Sequence, residues 1–267
     1  GAMSDGSLVH CERPLVNGVP ARVFVGGQGP AVLLVHGGWG GAEFHWSRVW
    51  SLLAQRHRVI APELPGLGDD GAPFASVREY AQWLVALLDV LSIDRAACVG
   101  NSFGASVCYA LAARWPARCS RLVMVDGVPM PVTPRRMARV GRTRAGLAMM
   151  RFLLRRSVYT RMAVARSFAD PSRVPSELSV IAERDWPRIV RAYASILVSG
   201  DDSPAPPVPP ALIWGAQDRL PATSLEAGRQ WQVTLGASAL CVIENAGHFP
   251  QVEAPGAFVD ALESLAR

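Results

Sequence analysis

The sequence predicts an α/β fold: a mostly parallel β-sheet covered by helices on both faces, with an α-helical lid inserted into it. Three observations carry that prediction. Short, largely apolar runs at residues 31–35, 96–99, 121–125 and 211–214 alternate with stretches of helical periodicity, as strands buried on both faces do. One run passes through Gly100-Asn101-Ser102-Phe103-Gly104 directly into a helical stretch. The alternation then stops at Gly127, and residues up to about 203 read as helices with no convincing strand. A chain of 267 residues, half of them hydrophobic, can bury one large core with an elaboration. The expected plan is a core at 3–127 and 204–267 and a lid at 128–203.

Taken in order, residues 9–16 and 19–25 are extended runs joined by Asn17-Gly18, a strong hairpin signal. Residues 31–35 form a strand that ends in His36-Gly37-Gly38-Trp39-Gly40-Gly41, and residues 44–55 read as a helix. A strand at 58–61 stops at Pro62 and leads into the turn-rich Pro65-Gly66-Leu67-Gly68, where Asp69 and Asp70 read as turn residues. Ser76 and Glu79 form a capping box that opens a helix running to Leu91. After the strand at 96–99, residues 105–113 are helical, and the strand at 121–125 follows. Five prolines between 204 and 210 stiffen the return to the strand at 211–214. A helix at 224–231, a strand at 239–244 and a helix at 255–265 complete the chain.

Composition narrows the function classes. Gly1-Ala2-Met3 reads as an expression scar ending in the native start, no secretory pattern follows, and no apolar run is long enough to span a bilayer. The five cysteines are odd in number and lack metal-ligand spacing, and three of them, Cys98, Cys108 and Cys241, lie in apolar segments. A reducing, cytoplasmic setting is expected. The net charge is +5, and every one of the 27 basic residues is arginine. Ten of these lie between Arg135 and Arg166, while residues 127–169 contain no acid. No nucleic-acid-binding motif accompanies that charge, so nucleic acid is not an expected partner.

The candidate chemistry centres on Ser102. A serine presented between a strand and a helix on so tight a turn has strained backbone angles, and residues two positions either side lack room for a Cβ. Gly100 and Gly104 occupy those places, and Ser102 then sits at the positive end of a helix. Of the five histidines, His10 lies in the first strand and His57 just before one, both read as structural or solvated. His36 sits where a strand enters the glycine loop and is expected to brace it, and His45 is given no role. His248 follows Gly247 in the loop after the last strand and is the candidate general base. Asp218, thirty residues earlier at the end of the preceding strand, is the favoured acid to orient it. Asp126, at the end of the strand after the serine, competes for that role, with capping or bracing of the lid entrance as its alternative. The oxyanion donors expected are the backbone N–H groups of Phe103 and Gly38, with Trp39 as alternative to Gly38.

These pieces resemble the α/β-hydrolase family: the His-Gly-Gly-Trp-Gly loop, the Gly-Asn-Ser-Phe-Gly elbow, the Trp-Gly-Ala-Gln-Asp-Arg acid turn and the Ala-Gly-His-Phe-Pro histidine loop, in the family's chain order. The resemblance runs from about Val9 to the C-terminus except for the lid. Ser102 stands where epoxide hydrolases and haloalkane dehalogenases of this fold carry an aspartate. The elbow is also similar to that of carbon–carbon bond hydrolases acting on ring-cleavage products. The expected activity is hydrolysis of a carboxylic ester, thioester or lactone by Ser102, His248 and Asp218, with no metal or organic cofactor. The alternatives are carbon–carbon hydrolysis of a β- or vinylogous diketone, a biosynthetic lyase, cyclase or acyl transferase, and a ligand-binding member without turnover.

The expected partner is a small acyl substrate, with Trp39 and the Met/Leu residues of 147–154 shaping an apolar acyl pocket. The lid arginines read first as a solvated face. Alternatively, some meet a substrate carboxylate, the phosphopantetheine and acidic surface of a carrier protein, or, as a basic amphipathic lid, an anionic membrane. No stable membrane association is expected, and the oligomeric state is left open.

Overall fold

The computed structural model describes residues 8–69, 71–157 and 160–265. Gly1, Ala2, Met3 and Asp70, read above as a scar and a turn residue, lie outside the described residues.

The chain enters through β1 (Val9–Glu12), breaks at Arg13-Pro14, and makes a small hairpin of β2 (Leu15–Val16) and β3 (Val19–Pro20) around Asn17-Gly18. β4 (Val23–Gly26) then pairs antiparallel with β1. The two extended runs of the sequence are thus one hairpin interrupted where Pro14 removes a donor. β5 (Ala31–Val35) follows, and then α1 (Gly41–Trp46) and α2 (Trp50–Leu53). These two short helices replace the single helix expected at 44–55, with the break at residues 47–49. Trp46 and Leu53 on either side of it are fully buried, so the bend keeps both against the sheet.

β6 (Arg58–Pro62), α3 (Val77–Val90), β7 (Ala96–Asn101), α4 (Phe103–Arg114) and β8 (Cys119–Val125) continue the alternation. Ser76 caps α3 as predicted, its hydroxyl accepting from the Glu79 N–H. Then come four helices in succession, α5 (Arg135–Gly141), α6 (Arg144–Ser157), α7 (Arg161–Arg166) and α8 (Ser176–Ser199), with no strand among the described residues between β8 and β9. β9 (Ala211–Gly215), α9 (Leu225–Thr234), β10 (Ala239–Ile243), α10 (Pro250–Glu253) and α11 (Pro255–Leu265) close the chain.

The main sheet has eight strands in the order β1-β4-β6-β5-β7-β8-β9-β10. From β6 to β10 every pairing is parallel, and β4 and β1 add an antiparallel edge. β5 shows how sequence sets the two-sided burial. Leu33 and Val35 join the cluster under α3 and α4, whereas Val32 and Leu34 join the opposite cluster with Trp46 and Phe258. Alternation with no polar residue is what a strand covered on both faces requires. The carboxyl ends of β5, β7, β8, β9 and β10 therefore open on one edge, where sheets of this kind place ligands.

Candidate active site

The backbone at Ser102 is bent as a strand-to-helix turn demands. β7 ends at Asn101, Ser102 has φ 55° and ψ −120°, and α4 starts at Phe103. A positive φ at a non-glycine residue is strained, so the surroundings must hold it. They do so by close packing. A Cβ on Gly100 would run into the carbonyl of Gly104, and one on Gly104 into the carbonyl of Val35. The Ser102 N–H donates to the Val125 carbonyl at 2.9 Å, which ties the turn to β8.

His248 lies in the loop after β10 and is 4% exposed. Its Nδ1 is 2.7 Å from Asp218 Oδ2, and the Leu220 N–H donates to the other Asp218 oxygen at 2.9 Å. Thr223 Oγ1 lies 3.2 Å from the same Nδ1. Asn101 Nδ2 donates to the carbonyls of Val125 and His248, both at 3.1 Å. Asn101 thus fastens the serine turn to the histidine loop. Glu253 holds the other side of that loop, accepting from the Gly247 N–H at 2.7 Å and the Ala169 N–H at 2.8 Å.

Asp126 is fully buried and its carboxylate oxygens each lie 3.1 Å from the Gly215 N–H. Burial, and then the neighbouring Asp218, push its carboxyl well above the usual carboxylate range. Asp218 holds the hydrogen bond to His248 for which the two acids competed. Asp126, Asp218 and His248 also form a cluster whose ligand atoms lie within 4.8 Å of one another.

The glycine loop after β5 packs directly on the serine: a Cβ on Gly37 would lie 3.1 Å from Ser102 Cβ. Two buried histidines shape this loop. The Leu64 N–H donates to His36 Nε2 at 2.8 Å, and the Gly37 N–H donates to His45 Nε2 at 3.1 Å. The Nδ1 atoms face the carbonyls of Gly37 and Gly41 at 2.6 and 2.7 Å. Burial pushes His36 down to about 4, and His45 well below the usual imidazole range. Both rings are therefore neutral near pH 7, each with Nδ1–H donating and Nε2 accepting.

These elements enclose a cavity of about 360 Å³. Ser102, His248, Gly38 and Trp39 line it, joined by Ser157 from the end of α6 and Tyr193 from α8. Phe103 lies beneath, its ring 5.2 Å from that of Tyr193. Among the described residues, Ser102 Oγ makes no hydrogen bond to His248, a spacing common in sites without substrate.

One expectation changes. The Met/Leu stretch of α6 does not line the cavity: Leu147, Met150 and Leu154 pack on α8, while Met149, Phe152 and Leu153 are exposed. Among the described residues no arginine of the helical segment lines the cavity, which agrees with their reading as a solvated face. Sequence reasoning missed Asn101, Thr223 and His45. Asn101 stood inside the serine motif, and the other two had no local signal.

Comparison with known proteins agrees with this architecture. The sequence profile of the alpha/beta hydrolase family matches residues 32–261. A 2-hydroxymuconate semialdehyde hydrolase of Pseudomonas putida is 30% identical over 90% of this chain and 88% of its own. A Mycobacterium tuberculosis protein of uncharacterized function is 29% identical over 93% of this chain and 78% of its own. The solved 2-hydroxy-6-oxo-6-phenylhexa-2,4-dienoate hydrolase of a Rhodococcus species superposes with a TM-score of 0.71 at 22% identity, covering 96% of this chain and 98% of that one. The chain belongs to the alpha/beta hydrolase family.

Proposed function

We propose that this protein hydrolyses a carboxylic ester, thioester or lactone of a small or medium-sized metabolite through an acyl-enzyme. One observation carries the reading: Ser102, on a positive-φ turn, shares a cavity with a histidine that Asp218 holds at 2.7 Å. His248 Nε2 takes the Ser102 proton as Oγ bonds to the acyl carbon, and Asp218 stabilises the imidazolium. The backbone N–H groups of Gly38 and Phe103 receive the oxyanion, and His248 returns the proton to the departing alcohol or thiol. Water, deprotonated by His248, then releases the acid. Trp39 forms a wall of the acyl site, and the helices between residues 128 and 203 act as its lid through Ser157 and Tyr193. The five free thiols support a reducing, cytoplasmic setting.

The cavity lining favours a neutral acyl group, because none of its described residues is a carboxylate or an arginine. A fluorophosphonate probe tests the mechanism. One adduct by intact mass, absent in Ser102→Ala, is the expected result, and no adduct on folded protein overturns it. The similarity to the Pseudomonas putida hydrolase favours a second reading, carbon–carbon hydrolysis of a vinylogous diketone. Faster turnover of such a carboxylate-bearing diketone than of any neutral ester in a matched panel would select it.

A further inference from the structure

The helical segment carries a surface for which catalysis has no use. Residues 127–169 hold ten arginines and no acid. Arg135, Arg136, Arg139, Arg142 and Arg144 are exposed, as are Arg155 and Arg156 at the other end of α6. The segment's apolar side chains do not all turn inward. Leu147, Met150 and Leu154 bury one face of α6 against Val190 and Ala194 of α8. Met149, Phe152 and Leu153, at the i, i+3, i+4 spacing of a second stripe, are 60%, 54% and 52% exposed. Met137 and Val140 of α5 are each 65% exposed. α6 is therefore apolar on two sides; among the described residues α8 covers one of them, and the other stays largely open, with the Arg156 guanidinium over the Phe152 ring.

The chemistry of the uncovered side specifies what fits it. A segment without carboxylates attracts an anionic partner and offers nothing to a basic one. Apolar side chains lying between the arginines need apolar depth immediately beneath the negative charge. The acidic surface of a folded protein supplies the charge without that depth, whereas a bilayer containing anionic lipid supplies both. We propose that α5 and α6 dock this protein reversibly on an anionic phospholipid surface. Among the described residues no helix is long and apolar enough to cross a membrane; the association proposed for α5 and α6 is one of lying on the surface. Ser157, at the end of α6, lines the catalytic cavity, so docking brings the cavity close to the lipid.

The proposal is independent of the hydrolytic reading, and flotation tests it with the full chain on vesicles of phosphatidylcholine alone or with one quarter phosphatidylglycerol. Binding to the anionic vesicles and not to the neutral ones is expected, with Ser102→Ala binding as the native protein does. Arg135→Gln/Arg136→Gln/Arg139→Gln should weaken binding roughly tenfold or more. Met149→Ser/Phe152→Ser/Leu153→Ser should remove whatever binding survives about 0.5 M salt, where surface charges are screened. The single variants Arg139→Gln and Phe152→Ser repeat the comparison with minimal disturbance of the fold. No binding to anionic vesicles, or equal binding by native protein and variants, overturns the proposal. Capture by polyglutamate with no vesicle binding overturns it in favour of an acidic protein partner.

Discussion

The turn from β7 into α4 and the outer side of α6 are both built largely from small and apolar residues, yet their fates differ. Around Ser102 nearly every side chain is buried and each glycine answers to a specific carbonyl. Along α6, half of the large apolar residues meet α8 and half meet water. The first region is constrained from several sides by β5, β8 and the histidine loop. The second is packed from one side only, so its sequence is free to serve something outside the chain.

Substitutions sharpen that contrast, beginning with the largest effect. In the constrained region, Ser102→Ala and His248→Ala should each lower turnover by roughly 10⁴-fold or more with the circular dichroism spectrum unchanged. Phe152→Ser on α6 should leave turnover of a water-soluble ester within about twofold. The two buried acids divide next. Asp218→Asn should cost about 10⁴-fold in kcat because it disturbs the tautomer of His248, whereas Asp126→Asn should cost less than about tenfold. The reverse order would move the catalytic acid to the end of β8.

Stability separates the regions more gently. Leu33→Ala, at a fully buried strand position, should cost about 2–5 kcal/mol in chemical denaturation. Phe152→Ser should fall within about 0.5 kcal/mol of native, and a large loss would mean the outer stripe of α6 is covered within the protein.

The smallest effect concerns pH. Glu63, 2% exposed, accepts from the Ala42 N–H at 2.9 Å beside the glycine loop, and burial pushes its carboxyl up to about 7. An acid whose pKa is raised on folding stays protonated in the folded state while the unfolded chain ionises. Its contribution is therefore complete below the ordinary carboxylate range and is lost as pH rises to about 7. Glu63→Gln keeps an acceptor for Ala42 and should flatten the fall of Tm between about pH 4.5 and 7. An unchanged slope would assign that fall to other groups.

Much of this was legible from residue pattern. Unbroken apolar runs identified the buried strands, because a strand covered on both faces has no place for a polar residue. The glycines flanking Ser102 identified the turn, since no other residue fits where the carbonyls of Gly104 and Val35 lie. Ser76 and Glu79 marked the start of α3 through a hydrogen bond spanning three residues. Signals of this kind are local. The break between α1 and α2 was not legible, because Trp46 and Leu53 are fixed by the sheet they cover.

By itself, then, the sequence determined the strands, the serine turn and the chain order of Ser102, Asp218 and His248, each written within a few adjacent residues. The tertiary structure decided what lies opposite each of them. It gave the hydrogen bond of His248 to Asp218 while drawing Asp126 onto Gly215, recruited Thr223 and Asn101, and turned Met149, Phe152 and Leu153 away from the cavity. Periodicity tells which side of a helix or strand a residue occupies. What faces that side depends on elements far away in the chain, and only their packing can settle it.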